Sequence, residues 1–198
     1  VTHHGVFDMA AFGAVPGLTI AAPMNEPELR NMMYTALGSG HPFMIRYPRG
    51  HGEGLPWRGE KFETLPVGRG RRLREGADVA LLTVGTVGNA AARAAGRAAA
   101  EGVSVAHYDL RFVKPLDEAL LDEVGRKFRR VVTVEDGSLR GGVGEAVAAF
   151  FNGRGYDVRV QRLGIGDEWV EHGTPGQLYA LCGYDEEGIL RALLDTRA

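Results

Sequence analysis

Residues 18–50, LTIAAPMNEPELRNMMYTALGSGHPFMIRYPRG, predict a strand, a helix and a second strand in succession. The apolar run at 18–23 ends at Pro23, and Asn25 with Glu28 fits a capping box that starts a helix at Glu26. Residues 42–47 predict the second strand. The apolar residues of the helix recur at helical spacing and predict one buried face, made of Leu29, Met32, Met33, Ala36 and Leu37.

This order of elements is typical of a βαβ unit, whose right-handed crossover makes its two strands parallel. The carboxyl ends of the strands, at Pro23 and at residues 47–50, then lie on the same edge of the sheet, where ligands usually bind. One βαβ unit leaves part of its sheet uncovered. Residues 1–50 therefore either pack on the rest of the chain or end a larger domain, and we favour the end of a larger domain.

The rest of the chain predicts a second unit of the same general kind. Residues 51–76 are rich in glycine, proline and charge, and we interpret them as a linker. Beyond them the sequence predicts strands and helices in alternation, which indicates an open, mainly parallel α/β sheet for residues 77–198. The predicted strands are 78–85, 103–109, 131–134 and 158–164, and the predicted helices are 89–101, 117–128, 144–151, 174–181 and 185–194.

Composition excludes several classes of function. The 198 residues are 44% hydrophobic and 24% charged, as in ordinary folded domains. A formal net charge of −2 predicts neither a nucleic acid nor a membrane surface as partner. The single cysteine, Cys182, has no partner for an internal disulfide, which fits a reducing compartment such as the cytoplasm. The chain begins with Val1 and not Met, which suggests a fragment or a processed chain.

Several familiar motifs are absent from the sequence. The run Gly141-Gly142-Val143-Gly144 matches neither the dinucleotide fingerprint nor the P-loop, so we expect these glycines to let a helix start close to the sheet. No G-x-S-x-G nucleophile elbow is present. His3 and His4 are adjacent and His107 lies inside a predicted strand, so the histidines do not predict a metal site.

Two segments remain as a candidate site. Thr2-His3-His4-Gly5 is a polar loop with imidazole groups, and Arg46-Tyr47-Pro48-Arg49-Gly50 places two arginines after a predicted strand. Together they suit a small phosphorylated substrate. In an extended strand Arg46 and Arg49 point to opposite faces, so only a turn at Pro48 lets both reach one anion. The alternative is that each arginine pairs with a nearby acid.

These segments also carry a family resemblance. Residues 2–8, 23–34, 45–50 and 109–117, together with the Gly141–Gly144 run and the closing segments 163–167 and 171–173, resemble the 1-deoxy-D-xylulose-5-phosphate synthases, which are transketolase-like thiamine diphosphate enzymes. The resemblance spans essentially the whole chain. It implies the end of a pyrimidine-binding domain in residues 1–50, a linker, and a transketolase C-terminal domain in residues 77–198.

The resemblance implies a reaction and roles for particular residues. Such enzymes condense pyruvate with D-glyceraldehyde 3-phosphate and release CO2, which is the first step of non-mevalonate isoprenoid synthesis and also feeds thiamine and pyridoxal synthesis. His3 matches the active-site histidine of the family, and Arg49 matches the arginine that faces the substrate. Arg46 is a further candidate for substrate binding. His4 stands where family members have glutamine, and we expect it only to line the entrance. The resemblance also implies that the protein is a cytoplasmic homodimer.

The cofactors that the resemblance implies are thiamine diphosphate and Mg²⁺. The family's Gly-Asp-Gly motif with a downstream asparagine is missing, and Gly166-Asp167-Glu168 matches it only in part. We therefore expect no cofactor-binding or metal-binding residue in this chain and expect an upstream region to hold both groups. Two alternatives stay open. They are another transketolase-like enzyme, such as a β-type subunit of a 2-oxo acid dehydrogenase that uses a lipoyl acceptor, and an assembly module without activity of its own.

Overall fold

The structure is a computed structural model that describes residues 4–59 and 61–195. The helices are α1 (Asp8–Gly13), α2 (Glu26–Gly38), α3 (Val87–Ala100), α4 (Glu118–Lys127), α5 (Val143–Gly153), α6 (Pro175–Leu181) and α7 (Glu186–Leu194). The strands are β1 (Thr19–Ala21), β2 (Phe43–Ile45), β3 (Arg71–Arg74), β4 (Val79–Val84), β5 (Val105–Asp109), β6 (Phe112–Lys114), β7 (Arg130–Ser138) and β8 (Arg159–Ile165). No helix of the described part combines the length and the apolar character that crossing a bilayer requires.

The predicted βαβ unit is confirmed. Strands β1 and β2 are parallel, with Ile20 opposite Met44, and α2 connects them. A third strand joins this sheet from far along the chain, because β6 pairs antiparallel with the other side of β1 and gives the order β2-β1-β6. The first part of the chain, residues 4–50, therefore packs on the second part, residues 71–195, through a shared sheet.

Helix α2 presents a different face from the predicted one. The cap is confirmed, because the Asn25 side chain accepts the backbone N–H of Glu28 at 3.2 Å. The inward face, however, consists of Glu28, Asn31, Met32 and Thr35. Met33 and Leu37 were predicted to be buried and are 55% and 88% exposed.

The reason for this rotation is the segment 61–66, which crosses the inner side of α2. The Thr35 hydroxyl accepts the backbone N–H of Leu65 at 2.8 Å, and the Asn31 side-chain oxygen accepts that of Glu63 at 3.3 Å. Leu65 is buried with Met32 in a small core. Polar side chains on the inner face thus satisfy backbone groups that would otherwise be buried without a partner.

The second sheet has the order β3-β5-β4-β7-β8. Its four predicted strands are confirmed as β4, β5, β7 and β8, and neighbouring pairs among them are parallel. Helices α3 and α7 cover one face and α4 and α5 the other. The alanine-rich α3 approaches closely because its inner face is made of small residues, which are Ala91, Ala94, Ala95 and Ala98.

Two features of this sheet were not expected. The edge strand β3 lies inside the predicted linker and pairs antiparallel with β5. Its residues are almost all arginine, as suits an exposed edge. The strand therefore lacks the alternation of apolar residues from which it could have been predicted. Strand β7 was predicted to end at residue 134 and extends to Ser138.

A buried ionic cluster joins α2 to the second part of the chain. The Glu28 carboxylate accepts both Arg111 Nε, at 2.8 Å, and Arg111 Nη2, at 2.9 Å, and also pairs with Arg71. Arg71 in turn contacts the buried Asp109. Arg111 has a φ of 58°, in the left-handed region that costs a non-glycine residue on the order of 1 kcal/mol. The cluster offsets that cost with charge-assisted hydrogen bonds.

Glu28→Ala tests this cluster. We expect it to lower the free energy of unfolding by about 3 kcal/mol, because it leaves Arg111 buried without its carboxylate. Urea unfolding followed by circular dichroism measures the change, with the exposed Glu63→Ala as matched control. A loss below about 1 kcal/mol, as for a surface ion pair, would contradict the assignment.

His107 makes stability depend on pH. Its Nε2 lies 2.9 Å from the Thr83 hydroxyl oxygen. Burial, followed by the charges of Arg71 and Arg74, lowers the pKa of His107 from 6.5 to about 4. The unfolded chain therefore takes up a proton at higher pH than the folded chain. The stabilising contribution is complete above pH 6.5 and is lost as the pH falls toward 4.

His107→Gln should remove this dependence. The shift corresponds to about 3 kcal/mol of stability lost by the wild type at low pH. In the variant, the slope of unfolding free energy against pH should flatten between pH 6.5 and 4, as measured by urea unfolding at several pH values. The exposed His41→Gln is the control. An unchanged slope in His107→Gln would show that another group causes the acid sensitivity.

Candidate functional site

A cavity of about 790 Å³ lies at the carboxyl ends of β1 and β2, between this first sheet and α3 of the second part. The first part contributes Pro23 and residues 47–50, the two strand ends that the sequence placed at one edge. The second part contributes the first turns of α3 and the region of α6. The lining residues on which the argument depends are Arg49, Asn89, Tyr179 and Tyr184.

The cavity wall is fixed where the loop after β1 meets α3. The Asn89 side-chain nitrogen donates to the Met24 carbonyl at 2.8 Å and to the Thr86 carbonyl at 3.0 Å. A Cβ atom at Gly88 would lie 3.1 Å from the Met24 sulfur, so this glycine permits the close approach. The second part of the chain therefore holds one wall of the cavity against the first part.

Arg49 is the cationic group that the cavity offers. It is exposed and lines the cavity beside Tyr47 and Pro48. Within residues 4–59 and 61–195 it forms neither a hydrogen bond nor an ion pair. Arg93 also lines the cavity, but its Nε donates to Glu186 at 2.8 Å. An unpaired guanidinium can bind a phosphate or a carboxylate through two parallel hydrogen bonds.

Arg46 is not among the residues that line the cavity. Its Nη1 lies 2.8 Å from Asp136 Oδ2, its Nε lies 3.5 Å from Asp8 Oδ2, and its side chain is 10% exposed. Burial lowers the pKa of Arg46, but the carboxylates of Asp136 and Asp8 outweigh this effect and raise it. The structure thus separates the two arginines as extended geometry requires, because the turn that would bring them together at Pro48 does not form.

Asp136 connects Arg46 to the cavity wall. Its Oδ1 accepts the Tyr184 hydroxyl at 2.9 Å and its Oδ2 accepts the Tyr179 hydroxyl at 3.3 Å. Burial and the neighbouring Asp136 raise the pKa of Tyr179 to about 12, and they raise that of Tyr184 as well. Both tyrosines therefore stay protonated at neutral pH and act as donors. Sequence reasoning missed these residues, although Glu135-Asp136 directly follows the apolar part of β7.

The chain that follows the histidine pair lies against the end of β7. His3 falls outside the described residues. His4 is half-buried and is not among the residues that line the cavity. The backbone carbonyl of Val6 accepts the N–H of Ser138 at 3.1 Å, and Met9 packs closely on Gly137. The chain just after His4 is therefore anchored to the second part.

The glycine run is a packing device, as expected. Glu135 accepts the backbone N–H groups of Val143 and Gly144, each at 2.8 Å, at the start of α5. Burial raises the pKa of Glu135, and these two hydrogen bonds oppose the rise. A Cβ atom at Gly142 would lie 2.1 Å from the Ser138 carbonyl oxygen. The position where a phosphate could sit is thus filled by a carboxylate of the chain itself.

The fold and this site define a class of protein. The family model for the transketolase C-terminal domain matches residues 68–189, and the model for the transketolase pyrimidine binding domain matches residues 1–53. The chain belongs to the transketolase family. This confirms the predicted fold class and the resemblance drawn from the sequence.

Curated relatives make the comparison more specific. A protein of Bacteroides fragilis is 55% identical over 198 residues, one of Azobacteroides pseudotrichonymphae 46% over 199, and one of Symbiobacterium thermophilum 44% over 188. Each is named 1-deoxy-D-xylulose-5-phosphate synthase. The alignments cover 99%, 100% and 95% of this chain and 30%, 31% and 29% of those proteins. The chain thus spans about 30% of the length of these relatives.

A solved structure has the same architecture. It is named "Split gene transketolase, inactive beta4 tetramer" and superposes with a TM-score of 0.83 at 28% sequence identity. The match covers 95% of this chain and 60% of that one. Both parts of the chain therefore have a counterpart in a known transketolase structure.

Proposed function

We propose that this chain is the C-terminal portion of a 1-deoxy-D-xylulose-5-phosphate synthase. The enzyme would condense pyruvate with D-glyceraldehyde 3-phosphate, release CO2 and form 1-deoxy-D-xylulose 5-phosphate, the first intermediate of non-mevalonate isoprenoid synthesis. Identity of 44–55% to proteins of that name supports the proposal. The structural observation that carries it is Arg49, a guanidinium without a partner in the described chain, at the edge of a ligand-sized cavity.

Arg49 is proposed to bind the phosphate of the acceptor. The cavity volume of about 790 Å³ is ample for a three-carbon phosphate. A guanidinium at its edge can hold the phosphate in one orientation through two hydrogen bonds. Arg46 loses its support as a substrate ligand, because its guanidinium already holds Asp136 and Asp8.

His3 is proposed as the catalytic residue. His4 is proposed to lie at the entrance to the site, outside the lining of the cavity itself. Imidazole donates and accepts protons near neutral pH, so His3 suits the transfer of a proton to or from the reacting oxygens. The anchoring of Val6 to Ser138 supports this role, because it fixes the chain three residues beyond His3.

The described residues supply no metal site for the reaction. Among the described residues, no group of three or more histidine, cysteine, aspartate or glutamate side chains could hold a metal ion. The sequence also lacks a complete Gly-Asp-Gly motif. We propose that thiamine diphosphate, which supplies the carbon–carbon chemistry when bound, and Mg²⁺ are held by an upstream region of the protein.

The proposal also covers the domain organisation and assembly of the protein. Residues 1–50 would end the pyrimidine-binding domain, residues 51–76 would link the domains, and residues 77–198 would form the C-terminal domain of a cytoplasmic homodimer. The isolated chain would have no activity. The solved transketolase relative supports the second of these points, since its name describes an inactive tetramer.

The test uses the complete polypeptide that contains this chain. With pyruvate, D-glyceraldehyde 3-phosphate, thiamine diphosphate and Mg²⁺ it should release CO2 and form 1-deoxy-D-xylulose 5-phosphate, identified by NMR. Arg49→Ala should raise the KM for D-glyceraldehyde 3-phosphate by at least about tenfold, because a charge-assisted contact with phosphate is lost. The KM for pyruvate should not change.

The matched control is Arg140→Ala, which removes an exposed arginine whose partner is the exposed Asp167. It should leave both KM values unchanged. An unchanged KM for the phosphorylated acceptor in Arg49→Ala would remove the phosphate-binding role. Transfer to a lipoyl acceptor in place of the aldehyde would instead identify a 2-oxo acid dehydrogenase subunit.

A further inference from the structure

The carboxyl end of β7, residues 135–138, contacts Arg46 and the described chain that follows His4. Asp136 binds Arg46, which lies three positions before Arg49. Ser138 donates its backbone N–H to Val6, which follows the histidine pair in the sequence. One strand end in the second part of the chain is thus attached to Arg46 and to Val6.

Asp136 is the fixed centre of these contacts. The residue is 6% exposed, and its carboxylate accepts hydrogen bonds from Arg46, Tyr179 and Tyr184. Three donors, one after β2 and two in and just after α6, leave the carboxylate little freedom to rotate. A buried charge held in this way keeps its partner in one place, because moving the partner leaves the charge unpaired at high cost.

Arg46 is the last firm anchor before the cavity. Its backbone N–H donates to the Ala21 carbonyl at 2.8 Å, where the β1–β2 ladder ends, and its side chain binds Asp136. The Glu26 carboxylate provides an anchor farther along by accepting the N–H of Gly54 at 2.7 Å. Arg49 lies between these two anchors, so the direction in which the chain leaves Arg46 determines where its guanidinium lies.

We propose that Asp136 is a positioning residue that acts through Arg46 to place Arg49 for the acceptor phosphate. This inference rests on the proposed function. Tyr179 and Tyr184 contribute to the same positioning, because they donate to the Asp136 carboxylate and also line the cavity. The C-terminal part thus contributes to substrate recognition without itself contacting the phosphate.

The experiment is Asp136→Asn in the complete polypeptide. The KM for D-glyceraldehyde 3-phosphate should rise about tenfold while kcat stays within about twofold. With D-glyceraldehyde, which has no phosphate, the variant and the wild type should have the same kcat/KM. A general loss of structure would lower kcat for both acceptors. A rise in KM for the phosphorylated acceptor alone therefore identifies a positioning role.

Further variants make the result decisive. Tyr184→Phe removes one donor without leaving a charge unpaired, and it should raise the same KM by about threefold even if Asp136→Asn fails to fold. Asp136→Glu, which keeps the charge, should recover part of the loss. The control Asp167→Asn removes an exposed carboxylate and should change neither KM nor kcat. An unchanged KM for the phosphorylated acceptor in both Asp136→Asn and Tyr184→Phe would overturn the proposal.

Hydrogen–deuterium exchange separates this inference from the proposed function. In Asp136→Asn, amides of residues 46–50 should exchange faster, while those of α3 keep their protection. If the wild type forms no 1-deoxy-D-xylulose 5-phosphate, the proposed function fails and the exchange result alone decides whether Asp136 positions the loop. Unchanged exchange at residues 46–50 in that case would overturn the inference.

Discussion

The ion pair between Arg46 and Asp136 joins the two parts of this chain at the point where the candidate site is built. The backbone N–H of Arg46 makes the last hydrogen bond to β1, and Asp136 lies near the end of β7. The pair therefore connects the carboxyl ends of strands in two different sheets. Ligand sites of α/β proteins lie at such ends. The two tyrosines that line the cavity bind the same carboxylate, so this contact also connects Arg46 to the cavity wall.

The pair does not act alone. Glu28 with Arg111 forms a second buried ionic contact between the same two parts, and β6 adds a strand of the second part to the first sheet. Buried ion pairs contribute little net stability when compared with apolar packing, but they tolerate only one arrangement. We attribute to them the register between the parts, while the apolar cores on the two faces of the larger sheet provide most of the stability.

Sequence reasoning succeeded where one local pattern determined the structure. The helices α3, α4, α5 and α7 and the four parallel strands of the larger sheet follow from apolar periodicity and capping residues, and Thr174 forms the capping box expected at α6. Arg49 was predicted to lie at the edge of the sheet because it follows a strand whose end could be predicted, and it lines the cavity there. Each of these features depends on residues that are close together in the sequence.

Sequence reasoning failed where distant residues decide the outcome. Helix α2 turns its polar Asn31 and Thr35 inward because residues 61–66 cross it, and nothing in the helix itself reveals that segment. The predicted end of β7 at residue 134 left out Glu135 and Asp136, because their charge resembled that of a loop. Asp136 and Arg46 are 90 positions apart, so no local pattern could pair them.

In the proposed reaction this chain holds and orients the acceptor and supplies His3, while other regions hold the cofactor. The most direct test of this assignment is a crystal structure of the complete polypeptide with an unreactive phosphorylated analogue of the acceptor. We predict a phosphate oxygen at about 3 Å from the Arg49 guanidinium, with Arg46 still bound to Asp136. A phosphate held elsewhere, or an Arg46 released from Asp136 to bind it, would contradict the account.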